Sequence, residues 1–231
     1  MSRIARADRS AATREVILTT AERLFVEHGI GVVSNRQISE AAGQGNNTAV
    51  GYHFGTRADL VRAIVRRHYD AIEGLRRAAV DRVGESAGVR EWAACMVHPP
   101  AHYLAELGSP TWYARFIAQA ITDPAYRGII TEESLNSPAL RETTAGLNRC
   151  IPDLPDEVRR ERRDMARQLM VHIVADREGA LAEGTPTARD TWRHVAAGLV
   201  DAVTGLWHAP VTRPAQDRPD DTGNENRRDQ R

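Results

Sequence analysis

Lysine is absent from this sequence of 231 residues, so all 31 of its basic residues are arginine. Lysine is normally among the commonest residues, and a coding bias toward arginine is the simplest origin of its absence. The chain therefore has no lysine for a P-loop, for a Schiff base or for kinase-type nucleotide binding. Sites that depend on such a lysine are excluded.

Cysteines and long apolar runs are also scarce. Two cysteines, Cys95 and Cys150, are too few for a disulfide framework, and we expect them to be reduced thiols. No apolar run approaches the roughly 20 residues that cross a bilayer, and the N-terminus lacks the apolar stretch of a signal peptide. We expect a cytoplasmic protein with no membrane contact.

Motifs for catalysis are missing as well. The sequence contains no Gly-rich phosphate loop, no Gly-x-Ser-x-Gly turn and no Cys-x-x-Cys pair. We therefore expect no catalytic residues and no cofactor.

The net charge of zero hides an uneven distribution. Residues 1–82 hold 13 Arg and 9 acidic residues, which gives +4, and residues 83–231 hold 18 Arg and 22 acidic residues, which gives −4. A modestly basic N-terminal module joined to an acidic body is compatible with nucleic-acid binding at one end.

The apolar spacing is helical throughout and predicts an all-α protein. A first helix is expected over about 10–28, where Ile17, Ala21 and Leu24 repeat at helical spacing. Ser34 and Gln37 form a capping box that starts a short second helix ending near Gly43. A turn over 44–47 then leads to a very short third helix over about 47–53.

A fourth, longer helix is expected to start at Thr56 with Asp59 and to run to about 81. It joins the N-terminal module to a helical body, in which Pro99-Pro100 is expected to interrupt and kink one helix. Further helices are expected from about 109 to 122, 138–150, 156–183 and 187–208. Spacing and composition divide the chain into an N-terminal module over 1–56, a helical body over 57–209 and a disordered tail over 210–231.

The first three helices form a helix-turn-helix pattern, in which a short helix enters the major groove and its first turn faces the base edges. Short polar side chains would read bases, and arginine would bind phosphate through its fork. The predicted DNA-contacting residues are Ser34, Arg36, Gln44, Asn46, Asn47, Thr48, Gly51, Tyr52, His53 and Arg57.

Simpler interpretations of these residues remain open at this point. Tyr52 and His53 fit the core of a small helical domain, and either asparagine fits a helix cap. Arg3, Arg6 and Arg9 form either a minor-groove arm or a solvated tail.

Residues 13–69 resemble the TetR family of one-component repressors. The resemblance is carried by Ala21-Glu22-Arg23-Leu24-Phe25, by Ala41-Ala42-Gly43 and above all by Tyr52-His53-Phe54-Gly55-Thr56-Arg57-Ala58-Asp59-Leu60. There are two departures, because the basic position at 57 is more often lysine in the family and the turn at 44–47 is one residue longer than usual. The longer turn leaves two registers, one residue apart, for the base-contacting residues.

The resemblance implies an all-α homodimer in which residues 1–56 form a small DNA-binding domain and residues 57–209 form a larger effector-binding and dimerisation domain. It places the dimer interface on the helices at 156–183 and 187–208. Their apolar stripes are Met165, Leu169, Ile173 and Leu181 on the first helix and Val195, Leu199, Val203 and Leu206 on the second. Periodicity alone shows only that each helix buries a stripe.

An effector pocket is expected around the middle helices, where aromatic and sulfur-containing side chains cluster beside the proline pair. The candidate lining residues are Trp92, Met96, His98, Tyr103, Trp112 and Phe116. Ordinary core packing is the competing interpretation.

These observations together predict a ligand-responsive repressor that a small organic effector releases from a palindromic operator. One alternative is a metal-dependent enzyme or binding domain, because His98, His102 and Glu106 are spaced at i, i+4 and i+8. Another is a structural protein that binds DNA without sequence preference.

Overall fold

Our computed structural model describes residues 3–46 and 48–211. This part of the chain contains ten α-helices joined by turns and loops, and no strand. The all-α fold is confirmed. The helices are α1 (Arg3–His28), α2 (Asn35–Ala41), α3 (Ala49–Phe54), α4 (Arg57–Val80), α5 (Val89–Leu107), α6 (Tyr113–Thr122), α7 (Arg127–Leu135), α8 (Pro138–Cys150), α9 (Asp156–Glu183) and α10 (Trp192–His208).

Some of the predictions fall outside the described residues. These are the role of Asn47, the side chains of Arg3 and Arg6, and the tail beyond 211. The first helix begins at Arg3 rather than near residue 10, and Arg9 is exposed on it.

Both predicted capping boxes are present at the helix starts that frame the recognition helix. The Ser34 hydroxyl accepts from the Gln37 amide at 3.2 Å, and the Gln37 side chain accepts from the Ser34 amide at 2.8 Å. Thr56 and Asp59 make the same reciprocal pair at 3.1 and 3.0 Å at the start of α4. Each box satisfies two amides that a helix start leaves without partners, so the sequence alone determines where α2 and α4 begin.

The helical body differs from the prediction at several helices, and α6 begins at Tyr113 rather than near residue 109. Helix α5 runs without interruption through Pro99 and Pro100: the prolines lack N–H donors, but packing against α4, α8 and α10 holds the helix together. Residues 127–135, unassigned from the sequence, form α7. The last helix begins at Trp192 with Thr191 as its cap, because Thr187 instead bonds Arg177 and the Arg189 carbonyl in the preceding loop.

One apolar core extends from the N-terminal helices into the body of the protein. Phe25 of α1 stacks on Phe116 of α6 with ring centroids 6.0 Å apart, and both side chains are fully buried. Leu60 and Ile64 on α4 belong to the same core. Helix α3, the predicted recognition helix, is therefore attached through α1 and α4 to the helices of the body.

Candidate nucleic-acid interface and ligand cavity

Helix α3 presents a small polar face to solvent. Ala49, Val50 and Phe54 are buried on its inner side. Thr48, Gly51 and Tyr52, at spacings of three and four, lie on the opposite side, and Tyr52 is 79% exposed. An exposed large aromatic residue beside a glycine with open space above it suits close approach to another molecule.

Polar anchors at each end hold α3 in place. The Ser39 hydroxyl accepts from the Val50 amide at 3.4 Å and donates to the Asn35 carbonyl at 3.0 Å. At the other end, Arg14 donates to the His53 carbonyl at 2.8 Å and its guanidinium lies 4.1 Å from the centre of the Phe54 ring. Neither anchor could be predicted from the sequence, because a single serine or arginine inside a helix gives no local signal of its tertiary partner.

The turn before α3 leaves donors available for a partner. The Asn46 side-chain oxygen accepts from the Thr48 amide at 2.9 Å and from the Thr48 hydroxyl at 2.6 Å. No described residue accepts from the Asn46 amide nitrogen, so it is free to donate outward. Gln44 is half-buried and donates to the Ala42 carbonyl at 3.0 Å.

The start of α2 is exposed beside this turn. Ser34 lies at the surface, and Arg36 donates to Glu40 at 2.8 Å through an exposed pair that raises the pKa of the arginine. Exposed ion pairs are weak, so the Arg36 guanidinium can exchange Glu40 for a phosphate.

Arg57 points into the protein, contrary to expectation. Its guanidinium donates to the Ile30 carbonyl, to the Tyr126 hydroxyl at 3.1 Å and to the Asn35 side chain at 3.5 Å. It also lies 4.7 Å from the centre of the Phe25 ring. Since each of its three nitrogens already donates inside the protein, the geometry favours a structural role for Arg57 over a phosphate contact. His53 is half-buried, with its ring against Tyr52 at 5.0 Å.

A cavity of about 370 Å³ lies in the body of the protein, with walls from all seven helices α4–α10. Three of its lining residues, Tyr69, Ile72 and Arg76, belong to α4, which begins directly after the recognition helix. The cavity falls within the size range of small-molecule sites, and its walls are mostly apolar with a few polar groups.

Of the six predicted effector-binding residues, only Met96 lines this cavity. The others face elsewhere, because the side of α5 toward the cavity carries Met96, Val97, Pro100 and Leu104. Trp92 packs on Gly146, His98 lines a separate groove, Tyr103 bonds His68, Trp112 precedes α6, and Phe116 lies in the core on Phe25.

A buried polar cluster joins α1 to the cavity wall. His68 is 1% exposed; one ring nitrogen lies 2.8 Å from the Glu22 carboxylate and the other 2.9 Å from the Tyr103 hydroxyl. Tyr113, which lines the cavity, stacks on the His68 ring at 3.9 Å, and burial raises the pKa of its phenol well above the ordinary value. The cluster thus connects α1 to the cavity wall through side chains of four helices, α1, α4, α5 and α6.

No metal site emerges from the histidines on α5. His102 and Glu106 lie 3.6 Å apart and are both exposed. Across residues 3–46 and 48–211, no three His, Cys, Asp or Glu side chains form a group that could hold a metal ion. The metal-dependent alternative is not favoured. Among the helices described, none is long and apolar enough to cross a membrane.

The two predicted interface helices differ in how far their apolar stripes are exposed. On α9, Met165 is 45% and Ile173 is 39% exposed. On α10, Val195, Leu199 and Val203 are buried inside the subunit. These three residues of the α10 stripe therefore serve the subunit's own core, because α10 packs closely on α5, whereas Leu206 is half-buried.

Comparisons with known proteins agree with this architecture. Residues 17–64 match the family model for bacterial regulatory proteins of the tetR family, and residues 94–205 match the model for the tetracyclin repressor-like C-terminal domain. The two models cover the recognition helix and most of the cavity wall. No curated protein gives a significant match.

Two solved structures share the fold. AmtR from Mycobacterium smegmatis is 20% identical with a TM-score of 0.53, and the match covers 83% of this chain and 86% of AmtR. A protein from Shewanella sp. PV-4 assigned to the tetR family is 16% identical with a TM-score of 0.55, covering 87% and 99% of the two chains. This protein belongs to the TetR family of transcriptional regulators, which bind DNA and respond to ligands.

Proposed function

We propose that this regulator binds its operator through the exposed face of α3 and that a small organic molecule in the central cavity releases it. The observation that carries the proposal is the anchored recognition helix, which turns Thr48, Gly51 and Tyr52 away from the core. Family membership implies a regulator rather than an enzyme. Such a protein would act in the cytoplasm, where the DNA is.

The DNA-contacting residues divide into two groups by chemistry. Thr48, Asn46 and Tyr52 surround the N-terminal half of α3, where base edges would lie. Ser34 and Arg36 at the start of α2 would hold phosphate, since anions bind at the exposed amides of a helix start. Arg57 is left out because its guanidinium is engaged inside the protein.

Dimerisation would bring two recognition helices into successive major grooves of a palindromic site. We assign the interface to the exposed apolar residues Met165 and Ile173 on α9, with the outer face of α10 beside them. That outer face carries small residues such as Ala202 and Gly205, which allow close approach of a second helix.

Release would act through α4. This helix forms part of the cavity wall at Tyr69, Ile72 and Arg76, and its first turn is capped directly behind α3. A ligand that favours a displaced α4 would change the spacing of the two recognition helices. Each tenfold difference in ligand affinity between the two states supplies about 1.4 kcal/mol for the shift.

The DNA claim is tested with fluorescence anisotropy on the protein's own upstream region. Tyr52→Ala should weaken specific binding about tenfold to a hundredfold, because one good DNA contact is worth roughly 1–3 kcal/mol. Leu135→Ala is a matched control, since Leu135 is also exposed, at 62%, but lies on α7. Equal affinities of Tyr52→Ala and wild type, or no preference over competitor DNA, would exclude this interface and favour a non-specific structural protein.

A further inference from the structure

The central cavity has an uneven charge. Arg76, Arg163 and Arg167 are among its lining residues, and no Asp or Glu of the described chain is. We infer that the effector is an organic anion, with an apolar body and a carboxylate that Arg76 binds. This inference rests on the proposed function of the cavity as the effector site.

Arg76 is the deepest of the three arginines. The residue is 8% exposed, its buried Nε has no hydrogen-bond partner among the described residues, and its Nη1 makes only a long ion pair with Glu73. A buried cation without acceptors is costly, and the cost is recovered only when an acceptor arrives. Burial also lowers the pKa of Arg76, against the opposing effect of Glu73, which agrees with an incompletely compensated charge.

Glu73, the nearest carboxylate, is occupied elsewhere. It lies 3.8 Å from Arg76, beyond hydrogen-bond distance. Its two oxygens accept from the Ser137 hydroxyl and, at 2.7 Å, from the Ala139 amide, so that Glu73 caps the start of α8. The position of Glu73 is thereby fixed, and it provides no acceptor for the guanidinium fork.

A carboxylate is the group that suits such a fork. Two parallel N–H donors of a guanidinium match the two oxygens of a carboxylate, and such bidentate pairs are among the strongest hydrogen bonds in proteins. A neutral alcohol of the same shape offers one oxygen and no charge, and leaves the guanidinium largely unpaired. A site built to pair a polar group rejects analogues that lack it much more strongly than it rejects a missing methylene.

The remaining walls accommodate the rest of the molecule. Leu104, Ile117 and Val171 supply apolar surface from three different helices. Arg163 and Arg167 are exposed on α9, so they lie where an anion would enter from solvent and would attract it there. One end of the ligand would thus be held by charge and the other by burial.

Isothermal titration calorimetry on the full chain without DNA tests this inference. The probes are decanoate and cinnamate, each against its neutral counterpart, decanol and cinnamyl alcohol. At least one carboxylate should bind wild type tenfold or more tightly than its alcohol. Arg76→Met should weaken carboxylate binding at least tenfold, so that the preference over the alcohol disappears. The affinity for the alcohol should be unchanged or higher.

One further variant separates charge from geometry, and another controls for the loss of an arginine elsewhere. Arg76→Lys keeps the charge but loses the fork, and should recover only part of the preference. Arg193→Met serves as the control, because Arg193 lines the separate groove that also contains His98. It should bind the carboxylate as wild type does. Thermal melting of the Arg76 variants verifies that they fold.

Three results would overturn the inference: no carboxylate binds, the alcohol binds as tightly as the carboxylate, or Arg76→Met retains wild-type affinity for the anion. Failure of the proposed function is visible separately, because operator binding is measured without ligand. A protein that binds its operator but ignores all four probes refutes the ligand class alone. A protein that binds the carboxylate but no operator refutes the proposed function alone.

Discussion

The contact between α5 and α8 gives a prediction whose sign can be worked out from one distance. Gly146 of α8 lies under the indole of Trp92, and a Cβ at this position would be 2.3 Å from Trp92 Cε2. Since carbon atoms pack at about 3.5–4.0 Å, the ring would have to move by more than about 1 Å. Trp92 is 7% exposed and packs in a buried apolar cluster that includes Leu147 and Trp207, so there is little space for it to move.

Gly146→Ala therefore combines two opposing effects. Alanine is favoured over glycine in a helix by about 1 kcal/mol, and overpacking a core typically costs about 1–3 kcal/mol and sometimes more. The severe overlap places the cost at the upper end, so we expect a net loss of about 2 kcal/mol. For a protein of this size the melting temperature should fall by roughly 4–8 °C.

Gly74→Ala is the matched control, with the same chemical change in an exposed position of α4. No atom lies within 4 Å of the added carbon there, so the variant should gain about 0.5–1 kcal/mol and melt roughly 1–4 °C higher than wild type. Differential scanning fluorimetry at one fixed protein concentration measures both, since dimerisation makes melting concentration-dependent.

Two results would contradict the reasoning about this contact. One is a Gly146→Ala protein as stable as wild type. The other is an undiminished penalty in a Trp92→Phe background, where the clashing part of the indole is gone and the cost should shrink.

Three other predictions concern the residues around the interface and the buried network. Arg57→Met should lower the melting temperature but leave the salt dependence of DNA binding unchanged, because the side chain holds the domain together. Tyr103→Phe should cost about 1–2 kcal/mol of stability by leaving a buried nitrogen of His68 unpaired, whereas Tyr52→Phe should not change stability. For Glu133, burial raises the pKa, but hydrogen bonds from Arg66 and Arg62 of α4 lower it by more. The net effect is a pKa below the ordinary value of 4.5. The stability this group contributes is present above that ordinary pKa and is lost as pH falls through the lower folded value, so Glu133→Gln should flatten the acid side of a stability–pH curve.

Each of these has a clear contrary outcome. A salt slope reduced by about one unit in Arg57→Met would restore its phosphate contact. Equal melting of the two Tyr→Phe variants would show that the hydroxyl of Tyr103 contributes nothing. An unchanged acid limb in Glu133→Gln would show that the arginine pairs do not outweigh the desolvation of the carboxyl group.

Local signals in the sequence were sufficient for the N-terminal helices. A capping box involves residues only three positions apart, so Ser34 and Thr56 could be assigned to helix starts without knowledge of the fold. The same holds for the resemblance carried by residues 52–60 and for the all-α class, which depends on apolar spacing along the chain. The exposed face of α3 was also within reach, because it follows from spacing within one short helix.

Tertiary structure decided which way the longer helices face and which partners the charged residues find. Trp92 and Tyr103 are on α5 as expected, but α5 turns another side toward the cavity, and only packing against α8 and α10 fixes that rotation. Arg57 occupies a basic position typical of the family in the sequence. Its guanidinium nevertheless donates hydrogen bonds to Ile30 and Tyr126, which lie 27 and 69 positions away along the chain. Arg76 gave no signal, because its position in the cavity wall and the lack of a close hydrogen-bond acceptor for its Nε depend on residues that are distant in the sequence. Periodicity indicates that a helix buries one side, whereas only the long-range packing of the folded chain decides which residues that side contacts.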